Sequence, residues 1–114
     1  MSVFISYAHE DIAYVEQLIA RLKQHGVEVW YDRLILVGAD LYMAIDEAIG
    51  KAQAILVILS PESFNAIGVH REVLKAQALQ KTIIPILIND LEGKDIPSWI
   101  IENDMQTLGI TKIL

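Results

Sequence analysis

The chain has no cysteine, and its 114 residues include only 3 prolines and 6 glycines. The lack of cysteine excludes a disulfide framework, thiolate catalysis and a cysteine-ligated zinc site. It also fits a reducing compartment, so we expect a cytoplasmic protein. Basic runs are missing as well, since no two Lys or Arg residues are adjacent and the formal net charge is -6. Binding to nucleic acid, which depends on clustered cations, is therefore not expected.

Long apolar runs and metal-binding motifs are also absent. The longest unbroken apolar stretch is Ala54–Leu59, far shorter than the roughly 18 residues that a membrane-spanning helix needs. We therefore expect no membrane insertion by this segment. The histidines, His9, His25 and His70, lie far apart along the chain and show no metal-ligand spacing, so no metal site is predicted.

What the sequence does contain is an alternation of strand and helix patterns, with 54% hydrophobic residues. Apolar segments predict strands at Val3–Ser6, Val27–Tyr31, Ala54–Leu59, Ile83–Ile88 and Met105–Ile110. Helical spacing predicts three helices between them. The first starts near Ile12 and ends at Gly26, the second has Asp40 as its N-cap and ends at Gly50, and the third runs from about Val69 to Gln80. Strands joined by helices form a parallel sheet, and 114 residues suffice for one domain. In such a sheet a ligand binds beyond the carboxyl ends of the strands.

Three familiar α/β sites can be tested against the loops after these strands. The dinucleotide fingerprint and the phosphate-binding loop both require Gly-rich motifs that the sequence lacks. A phospho-accepting receiver domain needs an Asp after the third strand, where this chain has Ser60. All three are excluded.

A different set of motifs, taken in order, resembles the bacterial form of the TIR domain, the Toll/interleukin-1 receptor and resistance protein module. The matching segments are Val-Phe-Ile-Ser-Tyr-Ala-His-Glu-Asp at 3–11, Val-Trp-Tyr-Asp at 29–32, Leu-Val-Ile-Leu-Ser-Pro at 56–61, Arg-Glu-Val at 71–73 and Ile-Ile-Pro-Ile-Leu at 83–87. The chain departs from the family at Gly68, where many catalytic members have a Trp, and at Gly38-Ala39, where Pro-Gly is usual. Trp99 is a candidate to replace the missing aromatic side chain, although packing under its own loop is the favoured alternative.

The resemblance implies a flavodoxin-like three-layer sandwich, with a parallel sheet of about five strands in the order 2-1-3-4-5. Family members normally have a last helix after the fifth strand, and this sequence stops at Leu114 without one. We therefore expect residues 1–114 to form a single TIR-like domain that is the N-terminal module of a longer protein.

The resemblance also implies an activity, because some TIR domains cleave NAD+ between ribose and nicotinamide while others only bind partners. NAD+ would be the substrate, and no cofactor is expected. Nicotinamide leaves as a neutral base, so one carboxylate that stabilises the positive charge growing on the ribose is sufficient. Glu72 matches the family's catalytic Glu. We expect it in the first turn of a helix, where the helix dipole favours its ionised form; the alternative is a solvated Glu that only stabilises the helix start.

Six further residues are predicted to bind substrate: Ser6, Tyr7, His9, Arg33, Ser60 and Arg71. The two residues at the end of the first strand can line the pocket, or they can cap the turn and pack against the sheet. The three cations are candidates to meet the pyrophosphate, although surface Arg is commonly only solvated. For Ser60 a bond within its own turn is the favoured alternative.

The loop after the second strand contains an apolar run that a solvated loop does not need. By resemblance it is a self-association loop, formed by Leu34, Ile35, Leu36, Val37, Gly38 and Asp40. The alternative is that the run folds back onto the sheet. Three functions follow: an NAD+ glycohydrolase that assembles with other TIR domains, a non-catalytic TIR interaction scaffold, and a sensor that binds a nucleotide without turnover.

Overall fold

The computed structural model describes residues 1–32, 41–87 and 111–112 of the chain. Its strands and helices are β1 (Ser2–Ser6), α1 (Ile12–Gln24), β2 (Glu28–Trp30), α2 (Leu41–Lys51), β3 (Ala54–Leu59), α3 (Ile67–Ala78), β4 (Thr82–Leu87) and β5 (Thr111–Lys112). The strands form one parallel sheet in the order β2-β1-β3-β4-β5. The predicted α/β class and strand order are therefore confirmed.

The central strand β3 divides the core into two layers because its side chains alternate between the faces of the sheet. Ile55, Val57 and Leu59 belong to one hydrophobic cluster, whereas Leu56 and Ile58 belong to the other. All five are buried. Strands that are apolar on both faces are typical of parallel sheets covered by helices on both sides.

The helices supply the outer layers of these two clusters. On one face α1 packs through Val15, Leu18 and Ile19. On the other face α2 and α3 pack side by side, with Ile49 and Val73 fully buried between the helices and the sheet. This arrangement is the predicted three-layer sandwich.

The ends of the helices follow the sequence signals only in part. Gly26 has a φ of 77° just after α1, which is the left-handed conformation expected of a glycine after a helix. By contrast, α2 continues through Gly50 to Lys51, so that glycine does not end it. Helix α3 starts at Ile67, two residues before the predicted start at Val69.

Pro85 lies inside β4, where the sequence predicts an edge or an irregularity because proline has no N–H for the ladder. On one side β4 pairs with β3 along its whole length, and Pro85 is opposite Val57. On the other side β5 pairs only with Ile86 and Leu87. The residues that precede β5 lie outside the described part of the chain, so the expected edge or irregularity at Pro85 stays a prediction.

Some predictions concern residues outside the described part of the chain. The fifth strand was expected at Met105–Ile110, which lies outside it, and the strand that the structure describes is the two-residue β5 that follows. The expected lack of a closing helix and the Asp40 helix cap also fall outside. Within residues 1–32, 41–87 and 111–112, no helix has both the length and the apolar character needed to cross a membrane.

Candidate functional site

An open cleft of about 240 Å³ lies at the carboxyl ends of β1 and β2, beside the start of α3. This is the edge of an open parallel sheet where ligands bind. The described residues that line the cleft are Ile5, Tyr7, Ala8, His9, Glu10, Asp32, Ala66, Gly68, Val69 and Glu72. Glu72, Tyr7 and His9 are thus brought together, as the sequence analysis expected.

Glu72 is joined to the end of β1 by a short hydrogen bond. The Ser6 hydroxyl donates to Glu72 Oε1 at 2.6 Å. The pleat of β1 explains this contact: Val3 and Ile5 pack toward α1, so the fully buried Ser6 points to the opposite face, where α3 lies. Two residues that are 66 positions apart are therefore fixed against each other.

Burial raises the pKa of Glu72 from 4.5 to about 7. The Ser6 hydrogen bond lowers the pKa because it favours the carboxylate, and the Asp32 charge raises it. The cationic side chains of Arg71 and His9 have smaller lowering effects. The expectation that Glu72 lies in the first turn of a helix, where the dipole favours its ionised form, is wrong. Glu72 is the sixth residue of α3, beyond the first turn where the helix dipole acts, and desolvation dominates.

Asp32, which follows β2, is a cleft residue that the sequence analysis missed. The Tyr7 hydroxyl donates to Asp32 Oδ1 at 2.6 Å, and His9 Nε2 lies 2.8 Å from Asp32 Oδ2. The strand order could have pointed to Asp32 as a cleft residue, because it follows the strand next to β1 and the carboxyl ends of parallel strands share one edge. The three side chains form what we call the Asp32 cluster: Tyr7, His9 and Asp32.

Ser60 is bound within the protein and is not among the described residues lining the cleft. It is fully buried after β3, and its hydroxyl donates to the Asp11 carboxylate while accepting the Ser63 N–H at 3.1 Å. Burial raises the pKa of Asp11, an effect that the Ser60 bond opposes. These contacts match the alternative turn role, and they tie the end of β3 to the start of α1.

Arg71, another predicted substrate contact, is directed toward α2. Its Nη2 lies 3.0 and 3.1 Å from the two oxygens of Asp46, and its guanidinium lies 4.6 Å from the centroid of the Tyr42 ring. Arg71 is also missing from the cleft lining among the described residues. Its role in this structure is to join α2 to α3.

The remaining predicted site residues cannot be placed against the cleft. Arg33 and the self-association loop, with Leu34, Ile35, Leu36, Val37, Gly38 and Asp40, lie outside the described residues, as does Trp99.

Gly68, which stands where many catalytic family members have a Trp, lines the cleft. A Cβ added there would meet no described atom within 4 Å apart from its chain neighbours and the backbone of its own helix.

The domain is a parallel α/β sandwich with the half-buried Glu72 in a cleft beside the carboxyl end of β1. Residues 3–111 match the family model for the TIR domain. The chain belongs to the TIR domain family.

Individual relatives agree with this assignment. The chain is 31% identical to the NAD(+) hydrolase TcpA of a Theionarchaea archaeon, over 85% of this chain and 28% of that protein. It is 35% identical to the probable 2' cyclic ADP-D-ribose synthase TcpB of Brucella melitensis, over 73% of this chain and 36% of that protein. The chain therefore spans about a third of the length of these curated relatives.

Solved structures support the fold. The TIR domain of the Toll-related receptor TRR-2 from Hydra magnipapillata superimposes with a TM-score of 0.79 at 22% identity, covering 96% of this chain and 82% of that one. At this identity the likeness speaks for the fold alone.

Proposed function

We propose that this TIR domain cleaves NAD+ at the bond between ribose and nicotinamide, with Glu72 as the catalytic carboxylate. The observation that carries the proposal is the half-buried Glu72 in the cleft, held by the Ser6 hydroxyl at 2.6 Å. The relatives named as an NAD(+) hydrolase and a probable cyclic ADP-D-ribose synthase support the choice of substrate.

Cleavage of the bond between ribose and nicotinamide requires little from the protein apart from a negative charge held in the right position. The bond between the ribose carbon and the nicotinamide nitrogen breaks, and its electron pair leaves with nicotinamide as a neutral base. Positive charge then grows on the ribose, where an ionised Glu72 stabilises it. Water that captures the sugar carbon and loses a proton gives ADP-ribose, whereas capture by a nucleophile of the same molecule gives a cyclic form.

The Glu72 environment suits this step. A carboxylate in a partly dehydrated cleft interacts more strongly with a developing cation than one in water does. With a pKa of about 7, about half of the molecules carry the carboxylate at neutral pH. The rate should therefore rise with pH through this range, as Glu72 loses its proton.

The size of the cleft limits which part of NAD+ it receives. At about 240 Å³, it is smaller than the roughly 300–1,000 Å³ of pockets that enclose a whole drug-sized ligand. We expect the ribose and nicotinamide to bind beside Glu72, with the rest of the dinucleotide past the rim. His9, with 76% of its side chain exposed, is our candidate to meet the pyrophosphate there.

The direct test is nicotinamide release from NAD+ by the purified domain, measured by chromatography with and without an agent that clusters the protein. We expect the wild type to release nicotinamide and Glu72→Ala to lose at least 100-fold in rate, a loss typical of removing one transition-state contact. Glu47→Gln is the matched control, because Glu47 is exposed on α2. No release by the wild type under either condition would contradict the proposal.

A second candidate function is self-association without chemistry. Leu41, Tyr42 and Met43, the first residues of α2, are exposed, with 38%, 62% and 59% of their surface accessible. They directly follow the predicted self-association loop, and these three side chains offer a surface to another TIR domain. Gly68, in place of the Trp of many catalytic family members, favours this scaffold function. A Glu72→Ala variant that still oligomerises but releases no nicotinamide, when the wild type does both, would show that assembly and cleavage coexist.

A further inference from the structure

The Asp32 cluster places in the cleft a carboxylate that the proposed reaction itself does not use. We propose that Asp32 is a positioning residue, whose carboxylate fixes the Tyr7 phenol and the His9 imidazole on the wall of the cleft that NAD+ enters. This inference rests on the proposed function, and it assigns a role to Asp32, which belongs to the family-like segment 29–32 but was not predicted as a site residue.

The geometry shows how the carboxylate is used. Each oxygen of Asp32 has a different partner: Oδ1 accepts from the Tyr7 hydroxyl at 2.6 Å, and Oδ2 lies 2.8 Å from His9 Nε2. Only 25% of the Asp32 side chain is exposed, so the carboxylate is partly withdrawn from water and bonded on both sides. It holds its two partners at one point at the end of β2.

The two partners need this anchor for different reasons. Tyr7 is 7% exposed, and a buried phenol must place its hydroxyl on an acceptor. His9 is largely exposed, so without a partner its side chain would sample several rotamers. The ring centroids of Tyr7 and His9 lie 6.1 Å apart with a 60° tilt, which adds a second restraint on the imidazole. Asp32 thus turns a mobile surface histidine into a fixed one.

Asp32 also acts on Glu72 through space. The groups around Glu72 are the Ser6 hydroxyl on β1, Asp32 after β2, His9 before α1 and Arg71 on α3. Asp32 is the anion among them, and its influence on the Glu72 pKa exceeds those of Arg71 and His9. Removing its charge therefore lowers the pKa of Glu72, whereas removing His9 raises it.

The experiment compares three variants: Asp32→Asn, which keeps the shape and one acceptor oxygen, His9→Gln, and the double variant. The pH dependence of kcat/KM and the KM for NAD+ are measured for each. We expect Asp32→Asn to move the acidic limb to lower pH and His9→Gln to move it to higher pH. In both single variants KM rises about two- to fivefold, the range of a partly exposed ionic contact.

The double variant tests positioning itself. If Asp32 acts on substrate binding through His9, then the double variant has the same KM as His9→Gln alone. A KM that is the product of both single effects would overturn the proposal, and so would an unchanged KM in Asp32→Asn. If Asp32 had a purely structural role, its substitution would lower the melting temperature, and the acidic limbs of Asp32→Asn and His9→Gln would not move in opposite directions. That result would also overturn the proposal.

A readout that needs no activity separates this inference from the proposed function. The titration of the Glu72 side-chain carboxyl is followed by ¹³C NMR in the wild type, Asp32→Asn and the exposed-charge control Glu47→Gln. We expect a lower midpoint in Asp32→Asn and no change in the control. An unchanged midpoint in Asp32→Asn would refute the electrostatic part of the inference, even if the wild type cleaves NAD+. Absence of NAD+ cleavage with a lowered midpoint would instead refute only the proposed function.

Discussion

Replacing Glu72 with Gln should make the protein inactive and, at neutral and alkaline pH, more stable. Gln has nearly the same shape, and its amide oxygen can still accept the Ser6 hydroxyl that bonds the carboxylate at 2.6 Å. What the substitution removes is a charge held in a poorly hydrated place. Keeping that charge there lowers the stability of the wild type, as is common in active sites.

The size of the effect follows from the pKa of Glu72, which burial raises from 4.5 to about 7. Between these values the folded protein keeps a proton that the unfolded chain has released, so native stability falls as the pH rises. The loss is complete above about pH 7. At about 1.4 kcal/mol per pH unit, it reaches up to about 3 kcal/mol. Because Gln does not titrate, Glu72→Gln avoids the loss.

The assay is urea unfolding at pH 5, 6, 7 and 8 for the wild type, Glu72→Gln and the exposed control Glu47→Gln. We expect the free energy of unfolding of Glu72→Gln to exceed that of the wild type by a margin that grows from pH 5 to pH 8. The control should follow the wild type at every pH. A margin of equal size at pH 5 and pH 8 would refute the reasoning, because it would show that the gain comes from packing and not from charge.

Three further substitutions test one hydrogen bond and two glycine positions. Ser6→Ala removes the hydrogen bond that favours the Glu72 carboxylate, so the acidic limb of kcat/KM should move to higher pH; an unmoved limb would show that the bond does not favour the charged form. Gly26→Ala should destabilise the fold by about 1 kcal/mol because of its φ of 77°, whereas Gly50→Ala inside α2, where an added Cβ meets no described atom within 4 Å, should stabilise it by up to about 1 kcal/mol. Thermal unfolding of both variants checks the pair, and the same sign for both would contradict it.

Much of the fold could be predicted because its strands carry a strong local signal. The predicted and observed bounds of β3 are the same, Ala54–Leu59, since an apolar run between polar residues marks a strand covered on both faces. The start of α3 was missed because it lacks the usual marks. No side chain caps the helix, and an exposed Ile67 and Gly68 begin it. Packing of the following turns, and not local preference, sets this boundary.

The site was less predictable than the fold. The family resemblance identified Glu72 and Ser6, but their contact depends on which face of β1 meets α3. The raised pKa of Glu72 could not be read from its neighbours in sequence, because the groups that bury it come from distant parts of the chain. Arg71 was predicted to face the substrate and instead bonds Asp46, since a residue adjacent to Glu72 on a helix points to a different side.

The hydrogen bond between Ser6 and Glu72 also determines when, during synthesis of the chain, the site can form. It closes a loop between positions 66 residues apart, and closing so long a loop must wait until β1, β3 and α3 have come together. A ribosome makes the chain from its N-terminus, so the first half of the domain emerges with Ser6 but without its partner. The NAD+ cleavage that we propose for this pair would therefore be absent during the early part of synthesis, and would require a chain long enough to fold.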